Sequence, residues 1–286
     1  MNIKKEITSG LRCKTYIIDE NGKSVIYQEY RDNAYYQAKK KYDIFNKITK
    51  KNKSDFIPQC YKYVNLDDKS ILYTEFKEGK SLQEIRKENK GFDLSIISKS
   101  ISDTLYKIHS IKDSDCFGWI TDNGCVGENN FYNYILNEFE RFKIVFEEKL
   151  FEDELNEIKI KQNEVLDYVS FKKHIKPQLI WYDLNPENII INNHKLSAII
   201  DPGGAKYSVK ELDLAFLKME VCKSEEEFQS LLQEYKKLDN SVDEKLINAM
   251  CILVELDDIM LRLQERIYIP IPYCSNFKNI INRIQK

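Results

Sequence analysis

Three side chains between positions 183 and 201 carry most of the chemistry this sequence offers. In LIWYDLNPENIIINNHKLSAIIDPGG, Asp183 follows a β-forming run, Asn188 stands five positions later, and Asp201 ends a second β-forming run just before a Pro-Gly-Gly turn. The spacing is that of a phosphoryl-transfer loop, in which the first aspartate accepts the proton of an attacking hydroxyl while the asparagine and the later aspartate hold magnesium. That reaction asks for positioning and charge neutralisation more than covalent chemistry, and Mg²⁺ prefers a few oxygen ligands beside phosphate oxygens. Taken alone, D-x4-N also describes a β-hairpin with acidic turn residues. The flanking strands and the ID-x-G ending favour the chemical reading. A hairpin over NIIINNHKLSAII would bring Asn188 and Asp201 to one sheet edge.

Other chemistries have little material. Only His109, His174 and His194 are present, far apart, which disfavours a His-based metal site or a Ser-His-Asp triad. The seven cysteines are scattered without a C-x-x-C pair and are expected to be reduced packing residues. Gly-Lys-Ser occurs at 22–24 and 79–81, but Ile17 and Thr74 stand where a phosphate-binding P-loop needs its first glycine, so that class is excluded. The chain of 286 residues is 42% hydrophobic and 31% charged with a net charge of −2, enough for a full core and without a field that would draw in nucleic acid or an anionic membrane. MNIKKEITSG lacks the apolar run of a signal peptide, and no apolar stretch approaches the roughly 20 residues needed to cross a bilayer. A soluble, cytoplasmic protein is expected, with no nucleic-acid or membrane partner; composition is silent on oligomeric state.

The elements that must hold the three residues fall into two groups. Strands are expected at EITSG, CKTYIIDE and KSVIYQEY, the last two joined by the hairpin turn Asn21-Gly22, then a Lys-rich helix from Asn33 to about Thr49 and strands at QCYKYVNL and SILYTEF. Beyond Glu78-Gly79-Lys80, helices are expected near 81–89, 94–112 and 128–169, with Ser81 and Asp93 as helix starts. After the strand region QLIWYD, NIIIN, KLSAIID, further helices are expected near 210–219, 224–237, 243–268 and 275–285. The boundary is placed at Phe76–Lys80, giving an N-terminal lobe 1–76 and a helical C-terminal lobe 77–286.

The motifs WYDLNPENIII, AIIDPGG, ELDLAF, ILYTEFKEGKSL and LYKIHS together resemble the aminoglycoside phosphotransferase and choline kinase family over most of residues 5 to 220. The resemblance implies an α+β, two-lobed protein-kinase-like fold, ATP or GTP in the interlobe cleft, and a small hydroxyl-bearing acceptor, such as an aminoglycoside or amino sugar, against the C-terminal helices. It implies Asp183 as catalytic base, Asn188 and Asp201 as magnesium ligands, and Asp213 as the acid that braces the catalytic loop. It also implies that Glu75 and Lys77 offer backbone groups to a purine with Phe76 between them, and that Gly10 belongs to the nucleotide-covering loop; a lone turn glycine is the plain alternative for Gly10.

Four departures qualify the resemblance. Trp181-Tyr182 replaces the usual His-Gly, Gln28 stands at the strand-three lysine, Lys41 stands at its helical glutamate partner, and Pro202 replaces the phenylalanine of protein-directed kinases. Glutamine carries no charge, so another cation must face the phosphates. Lys41 is the first candidate and Lys14 the second, against a simple solvated face for residues 39–41. An inactive kinase-fold binding or scaffold protein is the alternative these departures raise. In EKLINAMCILVELDDIMLRLQERI, Glu255, Asp258 and Arg262 are expected to form a surface ion-pair stripe. Asp257 interrupts an apolar face and is either a substrate ligand, part of an internal salt bridge or a helix cap. The aromatic run FYNYILNEFERF is either core or a cage for a quaternary ammonium.

Overall fold

The computed structural model describes residues 2–7, 13–31, 34–88, 91–265 and 271–284. Strands β1 (Asn2–Ile7), β2 (Cys13–Glu20), β3 (Lys23–Arg31), β4 (Cys60–Asn65) and β5 (Lys69–Glu75) build one antiparallel sheet in the order β1-β2-β3-β5-β4. Asn21 and Gly22 both have positive φ, 55° and 81°, the backbone a two-residue hairpin needs to match strand twist. Helix α1 (Tyr35–Lys51) packs Ala38, Phe45 and Ile48 against this sheet. The boundary expected from sequence falls just after β5. Gly10 lies outside the described residues.

The second lobe opens with the short strand β6 (Lys80–Ser81) and α2 (Leu82–Glu88), whose first turn is closed by the reciprocal Ser81–Glu84 box. Asp93 accepts from Ser95 N at the start of α3 (Ser95–His109). A hairpin that sequence reasoning missed follows, β7 (Phe117–Thr121) and β8 (Gly124–Glu128). The helix expected over 128–169 is two helices, α4 (Phe131–Lys149) and α5 (Glu152–Ser170), broken where Leu150 and Phe151 turn extended. Glu154 closes the new first turn by accepting from Phe151 N.

Then come β9 (Gln178–Ile180), β10 (Ile189–Asn192), β11 (Lys195–Ile199), β12 (Lys206–Ser208), α6 (Lys210–Phe216) with a π-helical turn over Leu217–Val221, α7 (Glu225–Leu238), α8 (Glu244–Glu265) and α9 (Lys278–Ile284). Two small sheets result, β11-β10-β6 and β8-β7-β12-β9. Gly79 permits the first. Its φ is 142°, and a Cβ there would meet the Ile191 carbonyl oxygen at 2.4 Å. One apolar core runs from α1 through α3 and strands β9 to β11 into α8.

Helix α8 is buried on nearly every side, against α4, α5, α6 and α9. This overturns the surface stripe: Glu255, Asp258 and Arg262 are 2%, 7% and 3% exposed. Glu255 instead caps the chain before α9, accepting from the backbone N–H groups of Asn276 and Phe277, while Asp258 and Arg262 pair at 2.6 Å. The cysteines need correction too. Cys116 and Cys125 are joined as a disulfide, their Cα atoms 6.0 Å apart, strapping the β7–β8 hairpin; the other five are free.

Candidate active site

The segment from Asp183 to Asp201 is assembled by local geometry and held by one acid. Strands β10 and β11 pair with Ile189 opposite Ile199 through a two-residue turn, Asn193-His194, both at positive φ. Ile200 N donates to the Asn188 carbonyl at 2.9 Å, which draws Asn188 and Asp201 to the same end of the hairpin as expected. Asp213, fully buried on α6, accepts from the N–H groups of Trp181 (2.8 Å) and Tyr182 (2.7 Å). His109 Nε2 donates to the same carboxylate at 2.9 Å, leaving Nδ1 to accept from the Tyr235 hydroxyl at 2.7 Å. Asp213 therefore braces the loop that carries Asp183.

Around the reacting centre, Asn188 Nδ2 donates to the Asp183 carbonyl at 2.9 Å, which leaves its amide oxygen as the atom able to face a metal. Asn185 Nδ2 donates to Asp183 Oδ1 at 2.8 Å. Burial, and then the charge of Asp201, push the Asp183 carboxyl above its ordinary range, partly opposed by Asn185 and Lys41. The backbone of Gly204 lies directly behind it; a Cβ there would come within 2.7 Å of Asp183 Cβ. Asp201 sits at φ 61° and accepts from Gly203 N at 3.1 Å. Its other partner is Lys41 Nζ, at 2.7 Å.

The three consecutive lysines of α1 have different fates. Lys39 pairs with Asp43 at the surface, Lys40 turns inward to donate to the Gly203 carbonyl at 2.8 Å, and Lys41 is buried over the Tyr30 ring with its ammonium on Asp201. Residues 39–41 are thus not one solvated face. Burial would lower the Lys41 pKa, but its contacts with Tyr30 and Asp201 outweigh it and the ammonium titrates above the usual lysine range. Gln28, two residues before Tyr30 and on the same face of β3, donates to Cys13 Sγ at 3.8 Å. Lys14 is exposed.

Glu75 and Asp257 are both engaged in contacts within the protein. Glu75 N donates to the Gln59 carbonyl at 2.8 Å, and its carboxylate takes Gln59 N and Lys77 Nζ (2.9 Å), so the Glu75 N–H is spent within the protein. Asp257 is partly exposed and pairs with Arg141 through Oδ1 at 2.8 Å while its Oδ2 accepts from the Tyr182 hydroxyl at 3.0 Å. Tyr182 holds φ at 65°, uncommon for a bulky side chain, next to Asp183. Its ring lies edge-on to Trp119 and Phe216, and Lys206 Nζ sits 3.6 Å from its centre. Trp119, Lys206 and Arg141 were not singled out in the sequence, and Lys40 was read only as part of the 39–41 run; the one signal was Tyr182 itself, a large residue beside Asp183. Of the FYNYILNEFERF run, Phe131, Tyr134, Ile135, Phe139 and Phe142 are core.

A family model for fructosamine kinase matches residues 1–245. The chain belongs to the fructosamine kinase family. The motif resemblance was therefore to relatives sharing the kinase-like fold, and choline kinase is not its family. No curated protein sequence matches the chain. Among solved structures, aminoglycoside phosphotransferase APH(4)-Ia is similar over 98% of this chain and 90% of its own, at 14% identity and TM-score 0.71. A gentamicin complex of APH(2")-IIa matches over 99% and 90%, at 16% identity and TM-score 0.67. ADP-bound APH(2'')-Ib matches over 100% and 93%, at 17% identity and TM-score 0.63. These likenesses establish the two-lobed kinase-like fold, and the family makes this chain a phosphotransferase. No helix among the described residues is long and apolar enough to cross a membrane.

Proposed function

We propose that this kinase transfers the γ-phosphate of ATP or GTP to a hydroxyl of an amino-sugar or ketosamine acceptor, with Asp183 as base and Asn188 and Asp201 toward magnesium. The observation that carries the reading is the Lys41–Asp201 pair. It answers the lost charge at Gln28 with a cation from α1, delivered to the reacting centre. An inactive scaffold would have no need to bury an ammonium there, since taking a charge out of water costs several kcal/mol before its partner repays it.

The residues fit a magnesium ion that arrives with nucleotide. Among the described residues no three His, Cys, Asp or Glu side chains converge, so two protein oxygens, from Asn188 and Asp201, would share the ion with phosphate oxygens. When bound, that ion supplies neutralisation of phosphate charge. The chain's own groups do the rest. Lys41 moves its charge from Asp201 toward phosphate, Asn185 orients the Asp183 carboxylate, and Asp183 accepts the acceptor hydroxyl proton as the oxygen attacks. Sugar and amino-sugar acceptors follow from the family name and from the antibiotic complexes among the neighbours.

The deciding assay is ADP or GDP release across ketosamines, amino sugars and aminoglycosides, with Asp183→Asn beside it. Acceptor-dependent release that disappears in the variant supports the reading. Release that persists in the variant, or none with any acceptor, counts against it.

A further inference from the structure

We propose that the acceptor carries an acidic group, seated between Lys40 and Lys206 against Trp119. The inference rests on the phosphotransferase reading and adds the charge of the molecule phosphorylated.

Lys206, on β12 between β7 and β9, is wholly buried, and its ammonium makes no hydrogen bond among the described residues. It lies 3.6 Å from the Tyr182 ring centre, 4.7 Å from that of Trp119 and 5.8 Å from that of Tyr134. Aromatic faces stabilise a cation, yet they leave three N–H donors unanswered. The Tyr134 hydroxyl and Ser208 Oγ are buried beside it, close enough for the phenol to interact with both Ser208 and Lys206, yet none of the three atoms completes a hydrogen bond of normal geometry among the described residues. The ammonium thus has two hydroxyl oxygens beside it but no ion pair among the described residues.

A second cation shares the same indole. Lys40 Nζ lies 5.2 Å from the Trp119 centre, and among the described residues its one hydrogen bond goes to the neutral Gly203 carbonyl. Burial first, then repulsion by Lys206 and Lys41, lower its pKa to about 8, with Asp201 opposing. The carboxylates nearby are spent: Asp201 on Lys41, Glu138 and Asp257 on Arg141. Two buried ammonium groups without an anion are costly unless a ligand brings one. Lys206 lies over the ring of Tyr182, next in sequence to Asp183, and Lys40 bonds the carbonyl of Gly203, next in sequence to the Gly204 that packs on Asp183, so an anion held there belongs to the molecule whose hydroxyl faces that base. Two described acids of α8 are not free to receive a cationic acceptor. Glu255 and Asp258 are paired internally, and burial followed by the charge of Asp258 raises the Glu220 pKa to about 7.

The test is equilibrium binding by calorimetry in the presence of ADP and Mg²⁺, using two matched pairs of compounds. One is the fructose ketosamine of glycine against that of methylamine, which lacks only the carboxylate; the other is fructose with and without a terminal phosphate. Binding about tenfold or more tighter for the acidic member of either pair supports the proposal, and the pair that shows it distinguishes carboxylate from phosphate. The advantage should disappear in both Lys40→Gln and Lys206→Met without loss of Tm or ADP affinity. Equal binding, tighter binding of the uncharged or amine member, or variants that lose ADP affinity instead would overturn it. If the acidic preference holds but wild type releases no ADP above the Asp183→Asn control, the charge assignment stands and the kinase reading fails.

Discussion

Replacing Lys41 by methionine separates a phosphate-binding lysine from a merely structural one. At an effective dielectric of about 20, an ammonium about 4 Å from a phosphate charge is worth about 4 kcal/mol. Loss of one preorganised charge-stabilising group typically costs about 2.7–4 kcal/mol, a fall in kcat of roughly 10²–10³-fold. The stability cost should be much smaller. Breaking a buried ion pair costs about 3–5 kcal/mol when the remaining charge stays buried, but the Asp201 side chain is 38% exposed and can rehydrate. Methionine also refills the space over Tyr30, so a loss of about 1–2 kcal/mol is expected. Because the ammonium titrates above the usual lysine range, its pairing is complete below the unfolded lysine pKa and is lost only as pH rises through the folded one; the stability difference should stay flat from about pH 6 to 9. Steady-state ADP release and urea melts read the two quantities. A kcat within about threefold of wild type would refute the assignment. Lys41→Glu combined with Gln28→Lys, which reinstates the usual strand-lysine and helix-glutamate charges, should recover much of what Lys41→Glu alone loses.

Asp183→Asn should abolish turnover, retain nucleotide, and raise Tm at pH 7. An acid whose folded pKa is raised contributes stability only below its unfolded pKa and loses it as pH rises through the folded value, so the gain in Tm should vanish in acid. Asp201→Ala should weaken magnesium-dependent nucleotide binding, read by ADP titration with and without Mg²⁺. Lys40→Met should stabilise the protein at pH 7 by up to about 3 kcal/mol, because a lysine lowered to about 8 disfavours the charged fold; melts should show the advantage fading between pH 8 and about 10.4. Unfolded, unreduced protein should titrate five free thiols, and a count of seven would contradict the Cys116–Cys125 bond. Reducing that nine-residue-separated link should cost about 2–3 kcal/mol on a loop-entropy basis.

The hairpin that joins Asn188 to Asp201 was legible because its geometry is local. Asp183, Asn188 and Asp201 lie within one strand-turn-strand unit whose apolar runs and turn residues fix its shape, so spacing alone brings the ends together. The lobe order, the two-residue turn at Asn21-Gly22 and the start of α2 at Ser81 were readable for the same reason. What spacing cannot show is which face of a helix finds a partner. Residues 39–41 read as a single charged run, and only packing of α1 against the Pro202–Gly204 turn sends Lys40 and Lys41 inward while Lys39 stays out. On α8 the helical period correctly separated Asp257 from Glu255, Asp258 and Arg262 but assigned the wrong group to solvent, because a helix surrounded on nearly every side has no polar face. The acceptor side was out of reach altogether. Trp119, Tyr134, Tyr182 and Lys206 meet only through pairing of β7 with β12 and the packing of α4 beneath, contacts between segments whose separation in sequence carries no periodic signal.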